Sequence, residues 1–212
     1  AIGGFADLLD LGLRGPLTEA QRADVGRIRA GQRHLLGLID EILDYARLEG
    51  GAVPFVVGEV SVAALVGEAA GAIAPEIAAR GLTLVIEPSD PALVARADAP
   101  KLRRVLGQLL GNACKFTPSP GSVRIAAAAD GEAHVAIAVH DTGIGIPADR
   151  AASIFEPFTQ VDATLTRTAG GAGLGLAIAR DLVRGMGGEL SVASAPGMGS
   201  TFTVTLPRPA AG

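Results

Sequence analysis

Residues 19–48 carry one apolar stripe at alternating steps of three and four: Val25, Ile28, Leu35, Ile39, Ile42 and Ala46, with Gln32 as its polar interruption. That period belongs to a helix and leaves a strand no consistent face. Thr18-Glu19-Ala20-Gln21 is a capping-box sequence and predicts the helix start. Gly50-Gly51 and then Pro54 end it. Upstream, Ile2, Phe5, Leu9 and Leu13 keep helical time over residues 1–13 until Gly15-Pro16 breaks it. The two segments read as an antiparallel helical hairpin over residues 1–50 with a narrow apolar seam. Such a pair hides little surface alone, and dimerisation into a four-helix bundle covers the seam. The chain opens in mid-helix without Met, so it reads as a piece of a longer protein.

The character changes after Gly51. Phe55–Val60 reads as a strand, and Ser61 caps a helix to about Arg80. Leu82–Glu87 and Ala92–Ala97 read as strands. A helix from about Ala99 to Ala113 buries Leu102, Val105, Leu106, Leu109 and Leu110. Residues 122–129 and 134–140 alternate around the turn pair Asp130-Gly131. Leu174–Met186 is a helix opening on glycines. Residues 189–194 and 200–206 close as a hairpin around Pro196-Gly197, and a tail starts at Pro207. Helices among strands, with antiparallel hairpins late, predict an α+β sandwich over residues 51–212, with a mixed sheet and a helical layer.

Composition excludes several function classes. A net charge of −4 opposes nucleic-acid binding. The single Cys114 excludes an internal disulfide and a Cys-cluster metal site, and three scattered His residues make no His-rich one. No apolar run approaches the ~20 residues of a bilayer span. The chain reads as soluble and cytoplasmic, without a membrane segment, whatever anchors its parent.

Four motifs follow in order: Asn112-Ala113-Cys114-Lys115-Phe116, Asp141-Thr142-Gly143-Ile144-Gly145-Ile146-Pro147, Gly170–Leu176, and Gly197-Met198-Gly199-Ser200-Thr201-Phe202. Asn112, Asp141, Gly171 and Gly199 are spaced by 29, 30 and 28 residues. The Asn112 amide oxygen is a neutral hard ligand of the kind Mg²⁺ accepts, with phosphates and water completing the octahedron. Lys115, one turn on, can pair with a phosphate. The plainer alternative is a C-cap Asn beside a solvated Lys.

Asp141 follows a strand and precedes a glycine turn. Its carboxylate can accept from the exocyclic amine of adenine and repels the carbonyl that guanine carries there. Gly143 and Gly145 let backbone pass close to a flat ring. An Asp-Gly turn without ligand is the alternative. Asp-Thr-Gly is also an aspartic-protease sequence, but that chemistry needs two carboxylates and hence a homodimer here. The glycines before Leu174 open a helix and make an anion site. Residues 159–172 read as a mobile lid carrying Arg167, which either reaches a phosphate or is solvated. Phe155 and Phe158 read as core residues at the lid's hinge.

In order and wording these motifs resemble the catalytic core of a two-component sensor histidine kinase, whose ATPase fold is shared with gyrase, MutL and a heat-shock chaperone. Leu109–Pro118 is similar to the family's Asn box. Asp141–Pro147, Gly171–Leu176 and Gly197–Phe202 resemble its glycine boxes, and Ile154–Phe158 its Phe box. Leu35–Glu49 resembles the second helix of the dimerisation and phosphotransfer domain, with residues 1–13 as the later part of the first. The resemblance implies that ATP lies between helical layer and lid. Asp141 would hold adenine, with Gly143, Gly145, Ile146 and Thr201 beside it. Asn112 would hold Mg²⁺, with Gln108 as a second candidate ligand in a place where the family usually has Asn. Lys115, Arg167, Gly171, Gly173 and Gly175 would face phosphates, with Phe116, Phe155, Phe158, Leu174 and Leu176 completing the site. The γ-phosphoryl would pass to a His on the first dimerisation helix, expected upstream of Ala1, and then to an Asp of a response regulator. His34, His134 and His140 are not in the acceptor's place, so this chain is not expected to phosphorylate itself. A degenerate kinase serving as a dimeric scaffold is the alternative.

Overall fold

The computed structural model describes residues 1–51, 53–159 and 172–209. Helix α1 (Ile2–Asp10) is followed by the long helix α2 (Glu19–Glu49). The capping box forms as its sequence requires. Thr18 Oγ1 accepts from the Gln21 N–H at 3.3 Å, and Gln21 Oε1 accepts from the Thr18 N–H at 2.9 Å. Such a cap contributes about 1 kcal/mol. The two helices run in opposite directions: Gly3 faces Gln32, and Arg29 pairs with Asp7 at 3.3 Å and Asp10 at 2.7 Å.

The remaining elements are β1 (Gly58–Ser61), α3 (Val62–Ala79), β2 (Leu82–Ile86), β3 (Val94–Ala97), α4 (Ala99–Phe116), β4 (Gly121–Asp130), β5 (His134–Asp141), a 3₁₀ turn (Ser153–Phe155), α5 (Gly175–Gly185), β6 (Glu189–Ser194) and β7 (Ser200–Pro207). β1 and β3 form a two-stranded antiparallel sheet. The main sheet has the order β2-β4-β5-β7-β6, with β2 parallel to β4 and the other pairs antiparallel. Alternation sends Val123 and Ile125 of β4, Val135, Ile137 and Val139 of β5, and Phe202, Val204 and Leu206 of β7 to one face. There they meet Leu102, Val105, Leu106, Leu109 and Leu110 of α4 and Ile178, Leu182 and Val183 of α5 in one core. The mixed sheet with its helical layer matches the expected α+β class.

Four expectations are corrected. The expected strand from Phe55 begins only at Gly58. Phe55 packs its ring against Gly185, and the Val56 N–H is taken by Asp98 Oδ2 at 2.9 Å, so that N–H is not free for a ladder. α1 stops at Asp10, where Gly12 at φ +70° turns the chain, and Ile2, Phe5 and Leu13 of the expected stripe are exposed. Ala6 is the buried residue of α1. α4 runs to Phe116, one turn past Ala113, and its end is set by Thr117, whose N–H and Oγ1 both bond the Ala113 carbonyl. Among the described residues α3 is long and apolar enough to cross a membrane, which the run-length reading did not register. Here Val62, Leu65, Val66, Ala69, Ala70 and Ile77 of α3 are buried inside the protein.

The end of α2 rests on the second unit. Tyr45 and Leu48 pack against the core, and Asp44 pairs with Arg104 of α4 at 2.7 Å. The following segment is clasped by Asp98, the N-cap of α4. Its carboxylate accepts from Val56 N–H, from Lys101 N–H at 3.2 Å and from Lys101 Nζ at 2.6 Å.

Candidate functional site

Asp141 is the last residue of β5, and strand alternation turns it inward, where it is 4% exposed. Its Oδ1 accepts from the Gly143 N–H at 2.8 Å, and the Ser200 backbone N–H donates to the same carboxylate. Burial pushes its pKa above the ordinary 3.8, while those two bonds and nearby His140 pull the other way. A carboxylate has about four lone-pair positions. With two N–H groups fixing it, it retains acceptor capacity for a ligand donor.

Three glycines bring backbones together around Asp141. Gly143 lies against the carbonyl of Phe116, the last residue of α4. Gly145, at φ +70°, lies against the Ala195 carbonyl, and Gly199, at φ +76°, against the Asp141 carbonyl. A side chain at any of the three would collide with main chain. The Ile144 N–H donates to the Phe116 carbonyl at 3.3 Å, and the Ile144 carbonyl accepts from the Gly197 N–H at 2.7 Å. The Ile146 N–H donates to Ser194 Oγ at 2.8 Å. The end of α4, the loop after β5 and the β6–β7 turn are therefore one interlocked unit.

A second cluster joins α4 to α5. Asn112 and Gln108 are one turn apart, with Gln108 Nε2 donating to Asn112 Oδ1 at 3.5 Å. The Gln108 side chain also fills the space where a Cβ on Gly175 would lie. It bridges α4 to the first turn of α5. A cleft lined by Glu41, Arg104, Gln108, Gly175 and Leu182 opens beside it, so α2 reaches this end of the site. Lys115 is half-buried, with Nζ 4.9 Å from the Phe116 ring centroid. Burial lowers its pKa below the usual 10.5, opposed by the charge of Glu41 and assisted by that of Arg80.

The loop ahead of α5 is anchored at its two described ends. Phe155 is buried edge-on to Phe202, with ring centroids 6.4 Å apart. Phe158 departs from the expected core role. It is 63% exposed, adopts φ +63°, and pairs edge-to-face with Tyr45, ring centroids 6.4 Å apart. Its N–H donates to the Gly173 carbonyl at 3.0 Å, and that bond fixes the turn. Gly173 sits at φ +71° against Thr159, Leu174 is fully buried, and Leu176 is half-buried. Arg167, Gly171 and most of the expected lid lie outside the described residues.

One expected neighbour of Asp141 is displaced by a single residue. In the β5–β7 register Asp141 faces Ser200, and Thr201 faces His140. Thr201 Oγ1 lies 2.9 Å from His140 Nδ1, while Ser200 is buried beside Asp141. The period of two puts consecutive strand residues on opposite faces, so Ser200 and not Thr201 shares the face of Asp141. Ser194 and Ser200 were not singled out by sequence. The sequence signal for Ser200 is its place in the Gly197–Phe202 motif, and choosing it over Thr201 takes the β5–β7 register. Ser194 carried none.

The residues fit a magnesium nucleotide by their donor chemistry. Asn112 offers one neutral oxygen, held by a long 3.5 Å bond that a cation can replace. Among the described residues no group of three or more His, Cys, Asp or Glu could hold a metal, so an all-protein cage is not what this site offers. Gln108 uses its Nε2 towards Asn112 and packs against Gly175, and its Oε1 is a second neutral oxygen of the same kind.

A family model described as histidine kinase-, DNA gyrase B- and HSP90-like ATPase matches residues 97–210, just over half of the chain. The circadian input-output histidine kinase CikA of Synechococcus elongatus is 39% identical over 92% of the chain and 26% of its own length. The autoinducer 2 sensor kinase/phosphatase LuxQ of Vibrio cholerae is 37% identical over 97% of the chain and 24% of its own length. The chain thus spans about a quarter of the length of these two relatives. Full-length ShkA in complex with AMPPNP superimposes on the whole chain and on 43% of its own, at TM-score 0.83 and 34% identity.

Proposed function

The chain belongs to the histidine kinase-, DNA gyrase B- and HSP90-like ATPase family, and from that premise we propose that it binds ATP with Mg²⁺ as the catalytic core of a sensor histidine kinase. The observation that carries this reading is the buried Asp141 carboxylate, held by the Gly143 and Ser200 N–H groups among main chains that only glycine lets approach.

In this reading Asp141 accepts from the adenine amine, and Gly143 and Gly145 let the loop lie along the ring. Asn112 supplies the protein's oxygen to Mg²⁺. Lys115 and the turn of α5 that begins at Gly175 face the phosphates, where helix N–H groups favour anions. Asn112 would hold the Mg²⁺, which when bound would supply charge neutralisation to the phosphates. The chain's own contribution is positioning: the interlocked loops hold the base, and α4 holds the metal-facing amide at a fixed distance along one helix.

Residues 1–50 serve as the dimerisation and phosphotransfer unit and residues 51–212 as the ATP-binding unit. The exposed Ile28, Leu35, Ile39 and Ile42 along α2 support a bundle formed with a second copy. A response regulator receives the phosphoryl group from the dimer's acceptor His. None of this chain's His residues is assigned that role. His34 and His134 are exposed outside the site, and His140 is engaged by Thr201.

The test is calorimetric titration of the chain with ATP and Mg²⁺. Asp141→Ala should cost roughly 1.5–3 kcal/mol, a ten- to hundredfold loss of affinity. Unchanged affinity in that variant would remove Asp141 from the adenine role.

A further inference from the structure

Ser194 ends β6 within reach of three polar groups. Its Oγ donates to the Gly199 carbonyl at 2.7 Å, accepts from the Ile146 N–H at 2.8 Å, and lies 3.0 Å from Ser200 Oγ. A serine hydroxyl has one hydrogen. The Gly199 carbonyl can only accept, so the Ser194 hydrogen is committed to it. The contact between the two hydroxyls then takes its hydrogen from Ser200. Ser200 is turned by this constraint: its hydrogen points at Ser194, and what remains of its oxygen is lone pair. Ser200 is buried opposite Asp141 in the β5–β7 register, and the ionised Asp141 carboxylate is acceptor only.

We propose that Ser194 is a positioning residue for base selectivity: by fixing the Ser200 hydroxyl as an acceptor, it makes the Asp141–Ser200 pair accept hydrogen bonds without donating any. The inference rests on the reading that the nucleotide base lies at Asp141. An amine-bearing edge such as that of adenine satisfies both acceptors. A carbonyl-bearing edge such as that of guanine meets lone pair with lone pair, and unmatched buried polar groups discriminate steeply. Freed of Ser194, the Ser200 hydroxyl can rotate and donate, and guanine then gains a partner.

The experiment is displacement of a fluorescent ATP analogue from the 212-residue chain by ATP and by GTP. It compares the wild type with Ser194→Ala, Ser194→Thr, Ser200→Ala and Asp141→Ala. Ser194→Ala should lower the ATP-to-GTP affinity ratio about tenfold, one hydrogen bond's worth of discrimination. Ser194→Thr keeps the hydroxyl and should restore the ratio. Ser200→Ala leaves the bonds of Ser194 to Ile146 and Gly199 in place and should also lower the ratio, so it decides the matter if Ser194→Ala does not fold. A merely structural role for Ser194 would weaken ATP and GTP alike. Binding that depends on Asp141 with an unchanged ratio in Ser194→Ala or Ser200→Ala overturns this proposal alone. Binding indifferent to Asp141→Ala overturns the nucleotide reading beneath it and the proposal together.

Discussion

The main chain of Gly199 lies directly against that of Asp141, so close that a Cβ on Gly199 would run into the Asp141 carbonyl oxygen. Two residues along, Gly197 has nearly the same backbone, φ +75° against +76°, but open space around it. The pair separates two costs of a side chain. Gly197→Ala should cost about 1 kcal/mol for the left-handed conformation alone. Gly199→Ala should cost that and the collision, at least ~2 kcal/mol more, and should weaken nucleotide binding with it. Urea denaturation of the two variants checks the order; equal costs would mean that the approach to Asp141 is not tight.

Asp141 should make stability and nucleotide affinity respond to pH in opposite directions. Its folded pKa is raised above 3.8, chiefly by burial. Between the unfolded and folded values the native state therefore binds more protons, and stability falls as pH rises through that window. Above it the carboxylate is ionised and able to accept from an amine, so ATP affinity rises through the same window. Denaturation of wild type and Asp141→Asn across acid pH isolates the first effect as their difference, and calorimetry at the same pH values follows the second.

Much of this was legible in sequence, and the exceptions share a cause. The Thr18 cap, the helix over Leu102–Leu110 and the strands around Asp130-Gly131 were readable because cap, period and turn are local signals. The motif glycines around Asp141 were readable as a set. Choosing between Ser200 and Thr201 needed the register of β7 on β5, which is a tertiary fact, and a slip of one residue changes the face. Phe158 reads as core because it is aromatic, but it sits in a left-handed turn bonded to the Gly173 carbonyl and its ring is exposed, which no local signal announces. Phe55 looked like strand because it precedes Val56 and Val57; its ring and the next N–H are claimed by Gly185 and Asp98, distant in sequence.

Asp98 is the clasp between the segment after α2 and the start of α4. Burial pushes its carboxyl up, and the bonds from Lys101 and Val56 together bring it below 3.8. Its stabilisation is therefore present above the unfolded pKa and lost as pH falls through the folded one. Asp98→Ala removes a helix cap and leaves the Val56 N–H and the Lys101 ammonium without their acceptor, at a cost of about 2–4 kcal/mol. Asp98→Asn, which keeps the cap, should cost less. Chemical denaturation at neutral pH measures both.

Asn112 and Gln108 should differ in their dependence on metal. With Asn112 as the protein's ligand to Mg²⁺, chelation by EDTA should weaken ATP binding to the wild type and leave Asn112→Ala, already weak, almost unchanged. Gln108→Ala removes a bridge to Gly175, so it should lower stability while keeping the response to EDTA. Calorimetry with and without chelator, paired with thermal melts, separates the two roles.

The most direct measurement is a crystal structure of the chain grown with AMPPNP and Mg²⁺. The account predicts the adenine amine on the Asp141 carboxylate, Mg²⁺ on the Asn112 amide oxygen and the phosphates towards Gly175. A nucleotide bound elsewhere, or one whose base turns away from Asp141, would contradict it.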